Sequence, residues 1–316
     1  MGFFLNIVNN TAISIFGMFI IMIIGLFAAK KGIFSTEGNK TLNSLLLDIV
    51  SPILIFTSYQ TEFSPEKLEN LLGVIILSLI LLILAIVLSK VFIRAKGDDK
   101  IYLVERMSIM YTNCGYIGIP LMLALFGSEG VFLCTGVITA LNIILWSYGV
   151  MMLKGSLNRT DILNIFRGPN MIAIMVGLIF YVTNIRIPHI LLNPLSMIAS
   201  IVTPLTMLII GATLSKCKIK ELFFSARVYY IVFLHNLVIP MISLLLYVFV
   251  LKRFYAVEPI VWLVVFIGMS CPVGASSPMF ALKFNKDERY ASTLLSVSTI
   301  FCILTIPLLV SINALF

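Results

Sequence analysis

Long apolar runs, separated by short basic stretches, set the rhythm of this chain. Runs long enough to cross a bilayer, about 20 residues each, fall near residues 6–29, 41–60, 70–93, 103–126, 130–153, 169–184, 190–214, 227–251, 259–283 and 289–314. The pattern predicts an all-α polytopic membrane protein with ten transmembrane helices. Two of these runs are interrupted in the middle. The fourth carries Asn113-Cys-Gly-Tyr-Ile-Gly-Ile-Pro-Leu121, and the ninth, about 158 residues later, carries Ser270-Cys-Pro-Val-Gly-Ala-Ser-Ser-Pro-Met279. Such breaks leave backbone groups without helical partners, which hydrocarbon tolerates only where the segment is buried in protein or lines a watery cavity. A pair of interrupted spans at corresponding points of two halves is a sequence pointer to a transporter's binding site.

The halves also echo each other. At an offset of 158, Pro120 meets Pro278, Phe126 meets Phe284, Glu129 meets Asp287 and Thr135 meets Thr293; at 152, Ile49-Val-Ser-Pro52 meets Ile201-Val-Thr-Pro204. Five spans per half would turn the second half upside down. The expectation is therefore two inverted five-helix repeats, residues 1–153 and 169–316, joined by a cytoplasmic connection over 154–168. Broken helices 4 and 9 would cross at the midplane. Eighteen of the 22 Lys and Arg fall in the loops after spans 1, 3, 5, 7 and 9. That bias marks the cytoplasmic side and puts both termini outside.

Composition narrows the function class. The chain is 60% apolar and 11% charged, with a mean hydropathy of +1.09, against roughly a quarter charged in soluble domains. Its net charge of +8 lies beside apolar spans, where it serves orientation and not nucleic-acid binding. The five cysteines, at 114, 134, 217, 271 and 302, show neither a disulfide framework nor metal-ligand spacing. The first apolar run lacks a basic leader and is too long for a signal-peptide core, so it reads as a membrane helix. There is no His-Glu-x-x-His, Gly-x-Ser-x-Gly or P-loop pattern. Enzymatic and ATP-driven activities of the chain itself are thereby disfavoured, and no cofactor or metal is expected.

What remains is chemistry at the breaks. After each one a new half-helix begins, with unpartnered N–H groups and a partial positive charge suited to an anion. No Lys or Arg lies deep in a span, so an anion would need this backbone capture. The candidate substrate-binding residues are Asn113, Cys114, Gly115, Gly118 and Pro120 in the first break and Ser270, Cys271, Pro272, Ser276, Ser277 and Pro278 in the second. Asn142, one turn before Trp146 in span 5, could line the same cavity. The alternative is that the prolines only kink two helices and the serines bond back to the backbone. Asp48 reads as the one carboxylate well within a span. It is a candidate for ion coupling, or for pairing or capping near Pro52. His235 is the second coupling candidate, or a packing residue. The function these features favour is secondary transport of a small organic anion. A sodium-coupled carrier of a larger organic anion, or a carrier-like sensor or channel, is the alternative.

Asn113-x-Gly115-x-x-Gly118-x-Pro120 resembles a motif of the auxin efflux carrier family, which contains the plant PIN carriers and bacterial malate or malonate permeases. Ile210-Gly-Ala-Thr-Leu-Ser215 is similar to that family's Gly-Ala-x-Leu ending. The stretch from Cys271 through Asp287, Ala291 and Ser292 to Thr305-Ile-Pro307 resembles its C-terminal signature. The resemblance covers essentially the whole chain. It implies the fold of the bile-acid sodium symporter superfamily: ten helices, with a scaffold of spans 1, 2, 6 and 7 and a transport domain of spans 3–5 and 8–10. The short connection from Lys154 to Arg167 resembles the bacterial form. The family further implies a cell-membrane homodimer and a di- or monocarboxylate substrate such as malate. The expected coupling partner is a proton or a sodium ion; the break in span 9 carries serines and no acidic residue, which favours proton coupling or facilitated movement.

Overall fold

A computed structural model describes residues 2–95, 101–215, 225–255 and 257–316, with backbone alone for residues 2–9 and 36. Cys217 and five of the counted lysines (96, 100, 216, 218 and 220) lie outside the described residues. In chain order the helices are α1 Gly2–Lys30, α2 Glu37–Ser58, α3 Pro65–Phe92, α4 Ile101–Met110 and α5 Cys114–Lys154. Next come α6 Arg159–Arg167, α7 Pro169–Val182 and α8 His189–Leu214. The last four are α9 Ala226–Phe254, α10 Pro259–Met269, α12 Glu288–Asn313 and, between these two, α11 Ser276–Lys283.

This corrects the expected count. Among the described residues seven helices are long and apolar enough to cross a membrane, or eight if the bent pair α6–α7, angled at 64°, is one span. Ten are not found, and the inverted five-plus-five arrangement with two crossing broken helices falls with that number. The physical reason is where the chain breaks. Interruption leaves α4 and α10 only 10 and 11 residues long, below the length a bilayer needs. The break expected near residues 127–129 is present as a sharp kink within α5: Gly127 takes φ 62°, ψ −148°, a region open essentially to glycine alone, and two helical segments meet there.

Prolines shape three of the helices in the same way. Pro52, Pro120 and Pro240 each stand two residues after a π turn, over Leu46–Val50, Cys114–Gly118 and Leu234–Val238. Proline donates no N–H, and its ring collides with the carbonyl four residues back. Widening the preceding turn moves that carbonyl aside. The residue just before it then bonds five residues back: Ser51 to Leu46, Ile119 to Cys114 and Ile239 to Leu234. A fourth and a fifth π turn, Leu145–Gly149 and Tyr247–Leu251, have no such proline. The first four in chain order carry Asp48, Gly115 and Tyr116, Trp146 and His235. π turns are rare and recur at functional sites.

Outside the core, α1 exposes Phe16, Ile20, Ile24 and Phe27, and α3 exposes Leu72, Ile76, Ile83 and Val87. Water does not tolerate so wide an apolar surface, whereas lipid does. The chain is an integral membrane protein. Small residues bring α1 and α8 together: a Cβ on Gly25 would fall on the backbone of Leu208, and one on Gly211 on the carbonyl of Met22. Close approach of this kind replaces the hydrophobic driving force that lipid cannot supply.

Candidate functional site

The two interrupted segments meet. Beyond α4 the chain runs extended, and Thr112 forms an antiparallel bridge with Val273. Asn113 N–H donates to Pro272 O at 2.7 Å and Gly274 N–H to Tyr111 O at 2.8 Å. Each break thus satisfies backbone groups of the other, the condition for irregular backbone at membrane depth. Side chains brace the joint. Tyr111 Oη donates to Leu141 O, and Ser108 and Ser277 share a hydrogen bond of 2.9 Å. Ser298 Oγ accepts from Val273 N–H at 2.9 Å and donates to Asn236 Oδ1 at 2.6 Å. His235 spans both breaks, with Nδ1 at 3.0 Å from Ile109 O and Nε2 at 3.0 Å from Cys271 O.

A cavity of about 340 Å³ opens beside this joint, between α2, α5, α7 and α11. Gly115 and Tyr116, in the first turn of α5, and Ala275 and Ser276, at the start of α11, line it together. Ile117 and Gly118 are the first residues of α5 whose N–H reaches back to Asn113 O, so the N–H groups before them are the unpartnered donors of a helix start. Thr112, Asn113, Asn142 and Asn170 add polar side chains to the wall. Thr112 Oγ1 and Asn170 Oδ1 are buried and make no hydrogen bond among the described residues; buried polar atoms of that kind want a partner. The arrangement offers an anion N–H dipoles, amides and a hydroxyl. Trp146 and Phe280 form an apolar side, edge to face at 5.1 Å. Lys283 holds its Nζ 4.8 Å from the Trp146 ring, a cation–π contact that sets one positive charge beside the cavity.

Of the residues named from sequence, Asn113, Gly115, Asn142, Ser276 and Asp48 line this space. The others do not. Cys114, Cys271, Ser270 and Ser277 are buried; Ser270 Oγ is spent on Phe266 O and Cys271 Sγ on Ile267 O. Pro120, Pro272 and Pro278 shape the backbone without reaching the cavity wall. Gly118 makes room: a Cβ there would stand 2.7 Å from Cys114 Sγ and 3.4 Å from Cys271 Sγ.

Asp48 lies midway along α2, at the cavity's edge. A second carboxylate, not singled out from the sequence, is Glu105, fully covered in α4. Glu105 accepts two 2.7 Å bonds from Arg227 of α9 and one of 3.0 Å from Tyr290 of α12. Removing one partner from a buried pair leaves an uncompensated charge, so this contact ties α4, α9 and α12 together. Sequence reading missed it because Glu105 stands near the head of an apolar run and Arg227 counted as a loop charge. Tyr116, Asn170 and Lys283 were also missed. The signal for Lys283 was its place three residues after Phe280 on one short helix.

A family model described as "membrane transport protein" matches residues 11–166 and 155–310. The chain belongs to the membrane transport protein family. This transporter is 27% identical over 212 residues to an uncharacterized transporter of Methanocaldococcus jannaschii, covering 64% of this chain and 68% of that one. It is 23% identical over 207 residues to an uncharacterized transporter of Methanothermobacter thermautotrophicus, covering 64% of this chain and 67% of that one. Membership makes the chain a transporter and not an enzyme.

Proposed function

We propose that this transporter moves a small organic anion, a di- or monocarboxylate such as malate, across the cell membrane by alternating access. The observation that carries the reading is the pair of helix starts, Gly115–Tyr116 and Ala275–Ser276, on one cavity of about 340 Å³. That size is at the small end of ligand pockets, roughly 300–1,000 Å³. A carboxylate seated there takes hydrogen bonds from the two helix starts and the Asn113 amide, and oriented N–H dipoles favour its charge. Lys283 draws anions toward the mouth. Helices α1, α2, α7 and α8 serve as scaffold, and α3–α5 with α9–α12 move. The Lys154–Arg167 connection faces the cytoplasm, with both termini outside.

Coupling to protons runs through His235. A neutral imidazole has one N–H and can donate to only one of its two carbonyl neighbours; the protonated ring donates to both. Proton uptake therefore tightens the joint between the breaks and proton loss loosens it. The test is uptake of labelled malate into proteoliposomes under an inward proton gradient without sodium. Accumulation above equilibrium is expected, lost with an uncoupler and in Asn113→Ala. Absence of uptake by folded protein rejects malate–proton symport.

A further inference from the structure

Between α5 and α7 lies a short helix that the transport reading does not use. α6, Arg159–Arg167, packs on the π turn Leu145–Gly149 and is held to the protein through Asp161 and Ile165. Asp161 Oδ2 accepts 2.8 Å and 3.0 Å bonds from Lys154 Nζ and the Asn158 N–H, and Ile165 is buried. The rest of the helix is uncovered. At about 100° per residue, Ile162, Leu163 and Phe166 share a sector of their own, and they are 45%, 42% and 49% exposed. Arg159 falls within that sector and Arg167 at its edge, both exposed. Neither arginine forms a hydrogen bond or ion pair among the described residues. Thr160 and Asn164 make up a third side, polar and uncharged.

The placement of α6 says what covers this face. Gly168 alone separates it from α7, and the two helices are bent from each other by 64°. α7 exposes Ile172, Val176, Ile179 and Val182, a surface suited to lipid. Where α7 stands upright in the bilayer, a helix turned from it by that angle runs closer to the membrane plane than to the normal. An apolar strip with basic residues on a helix so placed is the pattern of an interfacial helix. Neutral lipid would cover the strip and leave the arginines to water alone. Asp161, the one acidic residue of α6, is turned inward and paired with Lys154, so the exposed face carries positive charge only. Arginine binds phosphate through paired, charge-assisted hydrogen bonds, and basic residues beside an apolar helix face are drawn to anionic leaflets.

We infer that α6 docks on anionic phospholipid of the adjoining leaflet. Ile162, Leu163 and Phe166 enter the boundary of the acyl chains, and Arg159 and Arg167 bind headgroup phosphates. The residues directly after Arg167, Gly168 to Met171, line the cavity, so the lipid contact stands at the cavity's rim. Nothing in it depends on which substrate the cavity holds.

The experiment follows amide hydrogen exchange over residues 159–167 of the full-length transporter in two kinds of nanodisc. One is phosphatidylcholine alone, the other an equal mixture of phosphatidylcholine and phosphatidylglycerol. Exchange is expected to be roughly fivefold slower or more in the mixed discs, and less so at high salt. The double replacement Arg159→Gln with Arg167→Gln abolishes the difference, and Phe166→Ser speeds exchange in both discs. If the double variant does not fold, the two single replacements are measured instead, and a full difference in both overturns the inference. Equal wild-type exchange in the two discs overturns it too, as does a difference that survives in the folded double variant. The same slowing by inorganic phosphate in detergent without phospholipid assigns the arginines to a free anion and rejects the docking.

Discussion

The two interrupted segments touch each other, yet they are built for different work. In Ser270–Ser276 the side chains and backbone are tied to neighbours: Ser270 to Phe266 O, Val273 N–H to Ser298, Cys271 O to His235. In Tyr111–Gly118 two polar side chains are open: among the described residues Asn113 makes no side-chain hydrogen bond and lines the cavity, and Thr112 Oγ1 has no partner. The second break is mainly an anchor that lends only its last residues, Ala275 and Ser276, to the cavity; the first gives it more of its polar side chains. A repeated sequence feature therefore need not mean a repeated role. The polar groups of a break can be consumed in holding it still, as buried polar groups usually are.

The comparison is broken most directly at its two polar centres. Asn113→Ala should lower uptake about 10- to 100-fold, the scale of losing a hydrogen bond to a charged group, ~1.5–3 kcal/mol, with an unchanged melting temperature. A melting shift as large as the uptake loss would make Asn113 another anchor. His235→Gln keeps a donor but cannot change protonation. Gradient-driven accumulation should vanish while substrate exchange across the membrane persists; retained accumulation would move coupling elsewhere. Ser298→Ala strips partners from Val273 N–H and Asn236 Oδ1, at about 1–3 kcal/mol for buried groups left unsatisfied. The expected result is a lower melting temperature with uptake within about twofold of wild type, and normal stability would show that the anchor is redundant. Lys283→Gln should have the smallest effect, raising KM a few-fold at low salt and less at high salt, because an exposed charge is screened over about 10 Å at 0.1 M. A drop in maximal rate would place Lys283 deeper in the cycle.

Much of the site was legible in the sequence. The glycines and prolines of 113–120 and 270–279 mark irregular backbone wherever they occur in an apolar run, and both segments are irregular and adjacent. Direction was not legible. Nothing in the order of residues says that Ser276 lines the cavity while Ser270 and Ser277 turn away from it, because neighbouring positions differ only in how the chain is rotated at the break. The buried charge at Glu105 was missed for a related reason: hydropathy averages a window and does not see the Arg227 that reaches it. The helix count failed where backbone geometry decides. A break inside a run shortens α4 and α10 to 10 and 11 residues, below the length of a span.

The π turns leave one further consequence, in register. Each holds one residue more than an ordinary helical turn, spread over about the same rotation, so the helix beyond it faces as it would after an unbroken α-helix with one residue fewer. Deleting a single residue within Leu234–Val238 would let an ordinary turn re-form with the flanking helices still facing their neighbours, while the wide turn loses the spacing that brings His235 to Ile109 O and Cys271 O. For this chain the extra residue at a wide turn is a local bulge that leaves the rest of the helix in phase.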